Sequence, residues 1–287
     1  MNPKLKNLIV RTLAGAVYVA LMIAGVFYPV LMDVLLCVVA CLGLYEFSKI
    51  TCGPEDKPAL YIMMAFSVVL FAVACYCLLQ PRTFLFTPGM RTLMSVFLMI
   101  PLLMMLLSIA LSIVEIFRRR ACPVEQIGKS LFGFIWIVVP LAMMVAFAVW
   151  CKPMALAFLL LIWINDTAAY LGGTLYGRTK MFERISPKKT WEGTVTGFVF
   201  TVIAAVVFPS IPFFGRLHMP IWAWACFAAI VVVFGTFGDL LESAFKRNAG
   251  VKDSGKAIPG HGGMLDRFDS ILLAVIPAML FLFIILS

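Results

Sequence analysis

Apolar residues run along this chain in blocks of about 20, the length that carries an α-helix across the hydrocarbon core of a bilayer, and short polar stretches separate them. Nine blocks predict helices, at residues 10–28, 30–48, 59–79, 92–114, 131–150, 153–176, 193–213, 220–241 and 268–286. The first reads as a span rather than a secretory leader, because it is long, lacks a small-x-small cleavage signal and runs almost directly into the second. The interruptions are uneven. They run from a single residue to the long stretch at 243–267, which is rich in glycine and charge, and the loop at 177–192 is dense in charge.

Composition says what solvent the apolar blocks face. Of 287 residues, 63% are hydrophobic and 13% charged, with a mean hydropathy of +1.05, against roughly 45–50% and about 25% in a soluble domain. One core cannot bury that excess, so lipid must cover much of the surface. The expected fold class is an all-α polytopic membrane protein with about nine transmembrane helices. The basic residues orient it. With the N-terminus cytoplasmic, all 23 Lys and Arg fall in cytoplasmic segments except Arg82, Arg91, Lys152 and Arg216, the bias of the positive-inside rule. The C-terminus then lies on the opposite side, and both long loops face the cytosol. Attraction of the +9 formal charge to anionic headgroups accounts for Arg118–Arg120. It does not account for the two long loops, where acids and glycines are mixed with the bases.

The two parts of the chain differ in character. Residues 1–120 are chiefly apolar and read as a helical scaffold or oligomer region; residues 121–287 read as the catalytic membrane region, the two forming one continuous membrane unit. Eight of the 14 acids lie at or after Asp166. The eight cysteines are scattered, with no C-x-x-C pair, and read as buried apolar thiols.

Asp166 falls in the middle of a span, within N-D-T-A-A-Y-L-G-G, with Tyr170 and Gly173 on the same helical face. An acid at that depth costs roughly 2.5–3.5 kcal/mol. It is either satisfied by a neighbour as helix glue or serves a polar pocket, and the glycines either admit another helix or leave room for a ligand. In the loop that follows, Ser186-Pro187 makes a turn, Lys188 and Lys189 present adjacent ammonium groups, and Thr190 is placed to cap the next helix. Two lysines beside a positively charged helix N-terminus suit a phosphate. Further on, Asp239, Glu242, Ser243 and Lys246 form one stripe if their helix continues past the span. That stripe is either an ordinary Glu242–Lys246 pair on a solvated face or a metal site beside a lipid headgroup.

The last loop, from Ser243 to Asp269, gathers Lys246, Arg247, Lys252, Lys256 and Arg267 with Asp253, Asp266, Asp269 and His261. Cations, carboxylates and glycine N–H groups together suit a site for phosphates and a divalent metal. Within it, G-V-K-D-S-G-K-A nearly spells a P-loop but has Ala257 where a hydroxyl should bind magnesium, and it lacks the strand–loop–helix setting. A P-loop nucleotidase is therefore rejected. His261 sits in P-G-H-G-G, where Gly262 and Gly263 permit unusual backbone conformations and expose N–H groups. Asp266 and Asp269, at the start of the ninth span, are either caps of a helix dipole or oxygen ligands for Mg²⁺.

The stretch S-x-F-K-R-(x)4-K-D-x-G-x-x-I-P-x-H-G-G-M-x-D-R-F-D, filled at every position from Ser243 to Asp269, resembles the signature of the phosphatidate cytidylyltransferases, or CDP-diacylglycerol synthases. The upstream N-D-T-A-A-Y-L-G-G and S-P-K-K-T-W-E-G resemble the same family, so the likeness covers residues 160–270; before residue 120 only hydropathy and length agree. The resemblance implies transfer of the cytidylyl group of CTP to phosphatidic acid at the cytoplasmic face of a bacterial-type inner membrane. The products would be CDP-diacylglycerol and pyrophosphate, for phospholipid synthesis. It implies Mg²⁺ held by acids matching Asp239 and Asp266, to which the residues themselves add Asp269 and Asp253; a second cation is left open. Lys246, Arg247 and Arg267 would act on the reacting phosphates with the metal acids. Lys188, Lys189, Ser243, Lys252, His261, Gly262 and Gly263 would bind substrate, and Asp166 and Tyr170 would line the route of the headgroup. The partners are then CTP, phosphatidic acid and membrane lipids, with no nucleic acid, and a homodimer through the apolar first half is compatible with this reading.

Three other classes fit the sequence less well. An ion-coupled transporter with an intramembrane acidic site would also use Asp166, but predicts matching interrupted helices in two halves, and none is visible. A CDP-alcohol phosphotransferase would want D-G-x-x-A-R followed by spaced aspartates, which the chain lacks. A non-catalytic scaffold leaves the last loop unexplained.

Overall fold

The computed structural model describes residues 3–51, 57–80, 88–118, 122–255, 257 and 262–286, with side chains from Thr12 onward except that of Pro88. Eight helices among these residues are long and apolar enough to cross a membrane, and Thr12–Phe27 is a shorter apolar stretch of a ninth. The chain is an all-α integral membrane protein whose helices match the nine apolar blocks. It packs into two compact units: Met1–Lys152 with Val251–Arg267, and Pro153–Gly250 with Phe268–Ser287.

The first unit contains α1 (Pro3–Phe27), α2 (Pro29–Thr51), α3 (Lys57–Leu79), α4 (Pro88–Arg118), α5 (Pro123–Gly133) and α6 (Val139–Trp150). Pro29, Pro88 and Pro123 open their helices at a position whose N–H would have no intrahelical partner. Between α5 and α6 a π turn, Phe134–Val138, keeps the helix continuous, with the Val139 N–H reaching back five residues to Phe134 O. Pro140 explains it. A proline there cannot donate to the carbonyl four residues earlier and crowds it, so the ladder shifts register by one. This helix is the centre of the unit, with every residue from Trp136 to Ala148 buried. It meets α2 at a ring cluster of Phe47, Phe132 and Trp136, with centroids 5.9–6.2 Å apart. Gly133 is what admits the Phe47 ring, since a Cβ there would stand 2.6 Å from Phe47 Cε1.

The second unit contains α7 (Lys152–Tyr176, from Pro153), the strands β1 (Lys180–Phe182) and β2 (Ser186–Thr190), α8 (Trp191–Val207), a short α9 (Pro212–Gly215) and α10 (Ile221–Asn248). The body of α11 (Leu265–Leu286), from Phe268, completes it. The antiparallel β1–β2 hairpin pairs Lys180 with Thr190 and Phe182 with Ser186. The sequence predicts only a turn at Ser186-Pro187 here, and it also runs the following helix to 213, whereas α8 ends at Val207 and gives way to a 3-10 turn, Phe208–Ser210. The glycines after Asp166 serve helix packing. A Cβ on Gly172 would stand 2.5 Å from Thr196, and one on Gly193 would stand 2.7 Å from Ala169 O, so α7 and α8 approach almost backbone to backbone.

The seven described cysteines are free thiols; Cys77 and Cys151 are buried, Cys37, Cys41 and Cys75 are half-buried, and Cys122 and Cys226 are exposed, so the expectation of buried thiols holds only in part. Gly250–Ala257 follows a helix, α10, rather than a strand, in keeping with the rejection of a P-loop.

Candidate active site

The second unit holds a cluster of three carboxylates. Asp239 and Glu242 lie one turn apart on α10, and Asp269 comes from α11; each offers an oxygen, and these oxygens lie within 4.8 Å of one another. Two features bring them together. The α10 helix runs on past its apolar block to Asn248, placing Asp239, Glu242, Ser243 and Lys246 on one stripe. Gly238 lets α10 sit directly against the α11 backbone, because any Cβ would collide with Asp269 O.

Like charges at that spacing need compensation. Lys189 Nζ lies 2.7 Å from Asp239 Oδ2 and Lys246 Nζ 2.6 Å from Glu242 Oε2, the second pair buried. The Ser243 hydroxyl donates to Asp239 Oδ1 at 3.3 Å, and the Ser270 N–H to Asp269 Oδ1 at 2.7 Å. Three carboxylates against two ammonium groups still leave net negative charge, and Asp166 adds its own field at Asp269. A hard divalent cation suits such an oxygen set. Mg²⁺ takes carboxylate oxygens of this kind, and Asp239, Glu242 and Asp269 are the side chains placed to supply them.

Lys189 reaches the cluster from β2. Local bonds hold the hairpin: Glu192 accepts the Arg178 and Thr179 N–H groups at 3.1 Å, and the Trp191 N–H donates to Thr179 O at 3.0 Å. Arg247 Nε donates to Ile185 O at 3.2 Å, tying the hairpin to the end of α10. Thr190 Oγ1 accepts the Gly193 N–H at 3.2 Å and caps α8, as its sequence position predicts.

In the first unit the described part of the last loop is built around a different pair of acids. Asp266 Oδ2 accepts the Gly263 N–H at 2.7 Å and the Ser254 N–H and hydroxyl at 3.2 Å each. Glu46, buried on α2, accepts the Met264 N–H at 2.9 Å, the Leu265 N–H at 3.0 Å and the Ser254 hydroxyl at 2.9 Å. Gly262 has φ +88, a conformation suited to glycine.

Of the residues singled out from sequence, Asp239, Asp269, Ser243, Lys246 and Lys189 therefore converge in the second unit. Lys188, on the same strand, is exposed, and so are Asp166 and Tyr170 on α7. Lys252, Asp253 and Arg267 are exposed in the first unit beside the half-buried Asp266. His261 and Lys256 lie outside the described residues. Glu242 belongs to the α10 stripe that the sequence offers as one possible metal site, although the family resemblance does not add it to the metal acids, and no local pattern marks Glu46.

Residues 8–285 match the sequence model of the cytidylyltransferase family. The chain belongs to the cytidylyltransferase family. Phosphatidate cytidylyltransferases of Staphylococcus haemolyticus and Staphylococcus saprophyticus are 46% and 45% identical to it over 113 residues, and that of Staphylococcus aureus strain COL is 44% identical. Each alignment takes in 39% of this chain and 42% of the relative, so the chain spans less than half the length of these relatives. The cytidylyltransferase match, by contrast, runs through both units, and includes Glu46 as well as the acids of α10 and α11.

Proposed function

We propose that this membrane protein transfers the cytidylyl group of CTP to phosphatidic acid, giving CDP-diacylglycerol and pyrophosphate. The observation that carries the reading is the Asp239–Glu242–Asp269 cluster with Lys189 upon it, in a membrane chain of the cytidylyltransferase family.

In that reaction an oxygen of the lipid phosphate attacks the α-phosphorus of CTP. The bond from that phosphorus to the oxygen bridging to the β-phosphate breaks, and the oxygen leaves with pyrophosphate. Both reactants are anions, so repulsion and positioning dominate the barrier. A phosphate monoester has its second pKa near 6, so the attacking oxygen is already largely deprotonated at neutral pH and no strong general base is needed. Asp239, Glu242 and Asp269 are the side chains that would hold Mg²⁺ here, and the ion, when bound, neutralises developing phosphate charge. Ser243 and Lys246 keep Asp239 and Glu242 in place. Lys189 gives its charge to the nucleotide phosphates when it leaves Asp239. The family resemblance also implies a ligand role for Asp266, with Asp253 beside it, and Lys252, Arg267, His261, Gly262 and Gly263 would contact phosphate. With the N-terminus in the cytosol, as the basic residues suggest, the chemistry takes place where CTP is available.

The test is direct. Purified protein in detergent, given CTP, phosphatidic acid and Mg²⁺, should release pyrophosphate and form CDP-diacylglycerol in equal amounts. Failure to form product across several phosphatidic acids and divalent metals would overturn the proposal.

A further inference from the structure

The last loop is seated by a residue 208 positions away from Ser254 in the chain. Glu46 lies in α2, in L-Y-E-F-S-K, where its spacing from Lys49 suggests nothing more than a charge at a helix end. Its carboxylate is buried, yet three donors surround it: the backbone N–H groups of Met264 and Leu265 and the hydroxyl of Ser254, at 2.9–3.0 Å. The two N–H groups belong to the start of α11, whose first amides have no partner within their own helix. Glu46 thus does for α11, from another helix, what an N-cap residue does locally, and it adds a full negative charge at the positive end of the helix dipole.

The surroundings are shaped to admit it. The three atoms nearest a Cβ built on Gly255 all belong to Glu46, its Oε1, Cδ and Cγ, and the first of these would be in collision. A Cβ on Gly263 would strike Ser254 Oγ and Glu46 Oε2. One turn before Glu46, Gly43 leaves room for the Leu265 side chain, 3.1 Å from where its own Cβ would be. Two glycines of the D-S-G and H-G-G segments are therefore accounted for by the approach of this carboxylate. The Ser254 hydroxyl has one proton to give and lies within reach of both Glu46 Oε2 and Asp266 Oδ2, so it couples the two acids.

We propose that Glu46 is a positioning residue for the last loop: it fixes the start of α11 and, through Ser254 and Gly263, sets the orientation of Asp266. This rests on the proposed cytidylyl transfer for its kinetic consequence but not for its structural one. Substitution of an outer partner of this kind costs about 10- to 100-fold in activity or metal affinity. Glu46→Ala should lower kcat by about tenfold, while Glu46→Gln, which keeps one carbonyl acceptor, should recover part of that loss.

Gly255 supplies the decisive control. Gly255→Ala should lower kcat in the wild-type background, because its methyl group displaces Glu46, and should cost almost nothing further in Glu46→Ala, where the space has been vacated. Losses that multiply in the double variant would overturn the proposal. Amide exchange provides a readout free of turnover: the Met264 and Leu265 N–H groups should exchange at least tenfold faster in Glu46→Ala and Gly255→Ala than in wild type. Unchanged exchange refutes the role of Glu46, whether or not the protein proves to be a cytidylyltransferase acting on phosphatidic acid. An inactive wild type with faster exchange in the variants refutes the reaction alone.

Discussion

Asp266 and Asp269 are three residues apart at the start of α11, and each is held in a different electrostatic setting. The Asp266 carboxylate accepts the Gly263 and Ser254 N–H groups on one oxygen and lies within reach of the Ser254 hydroxyl, in a loop also tied to Glu46. The Asp269 carboxylate stands with Asp239 and Glu242, and the donors around that group are ammonium ions and single local bonds. A carboxylate bonded to its own chain's N–H groups is held in place, whereas carboxylates gathered against one another lower their energy by recruiting a cation. The difference suggests a division of labour, with one acid fixing a loop and the other meeting charge, although sequence alone makes the two look like a single D-x-x-D pair.

The strongest way to break that comparison is to neutralise an acid in the cluster. Asp239→Asn and Asp269→Asn should each reduce Mg²⁺-dependent formation of CDP-diacylglycerol by at least about 100-fold, with elution volume and melting temperature in detergent close to wild type. Initial rates over a Mg²⁺ titration measure this. A variant with wild-type rates at every Mg²⁺ concentration would remove that residue from the proposed metal set.

Asp266→Asn should do less. Asparagine keeps a carbonyl acceptor for the Gly263 N–H but loses the charge, so a loop-fixing acid predicts about a tenfold fall in kcat with the Mg²⁺ midpoint unchanged. The ligand role implied by the family resemblance predicts instead a midpoint shifted upward, as in Asp239→Asn. The two outcomes separate the readings without reference to the size of the activity loss.

Much of this arrangement is legible in the sequence, and what is not has a physical cause. Apolar block length fixes the helices, because a bilayer demands about 20 residues per span, and the α10 stripe and the Thr190 cap follow from local spacing. Glu46 is not legible that way. Its partners are more than 200 positions off, and no local pattern marks an acid that bonds to another segment's backbone. Glycine signals are also ambiguous. Those after Asp166 read equally as ligand space or helix contact, and only the positions of Thr196 and Ala169 decide for contact. In H-G-G the same residue type instead makes room for a carboxylate.

The adjacent lysines of β2 give the smallest and most discriminating effects. Successive side chains on a strand point to opposite faces, and here Lys189 meets Asp239 at 2.7 Å while Lys188 is exposed. Lys189→Met removes a cation from the cluster and so changes two quantities in opposite senses. Mg²⁺ should bind more tightly, because a competing ammonium is gone, whereas KM for CTP should rise by about tenfold as a phosphate contact is lost. Lys188→Ala should change KM for CTP by less than about threefold and leave the Mg²⁺ midpoint alone, since an exposed ammonium is largely screened by salt. Equal effects at the two positions would mean that both lysines reach the nucleotide, and that the Lys189–Asp239 pair does not set the charge balance of the acid cluster.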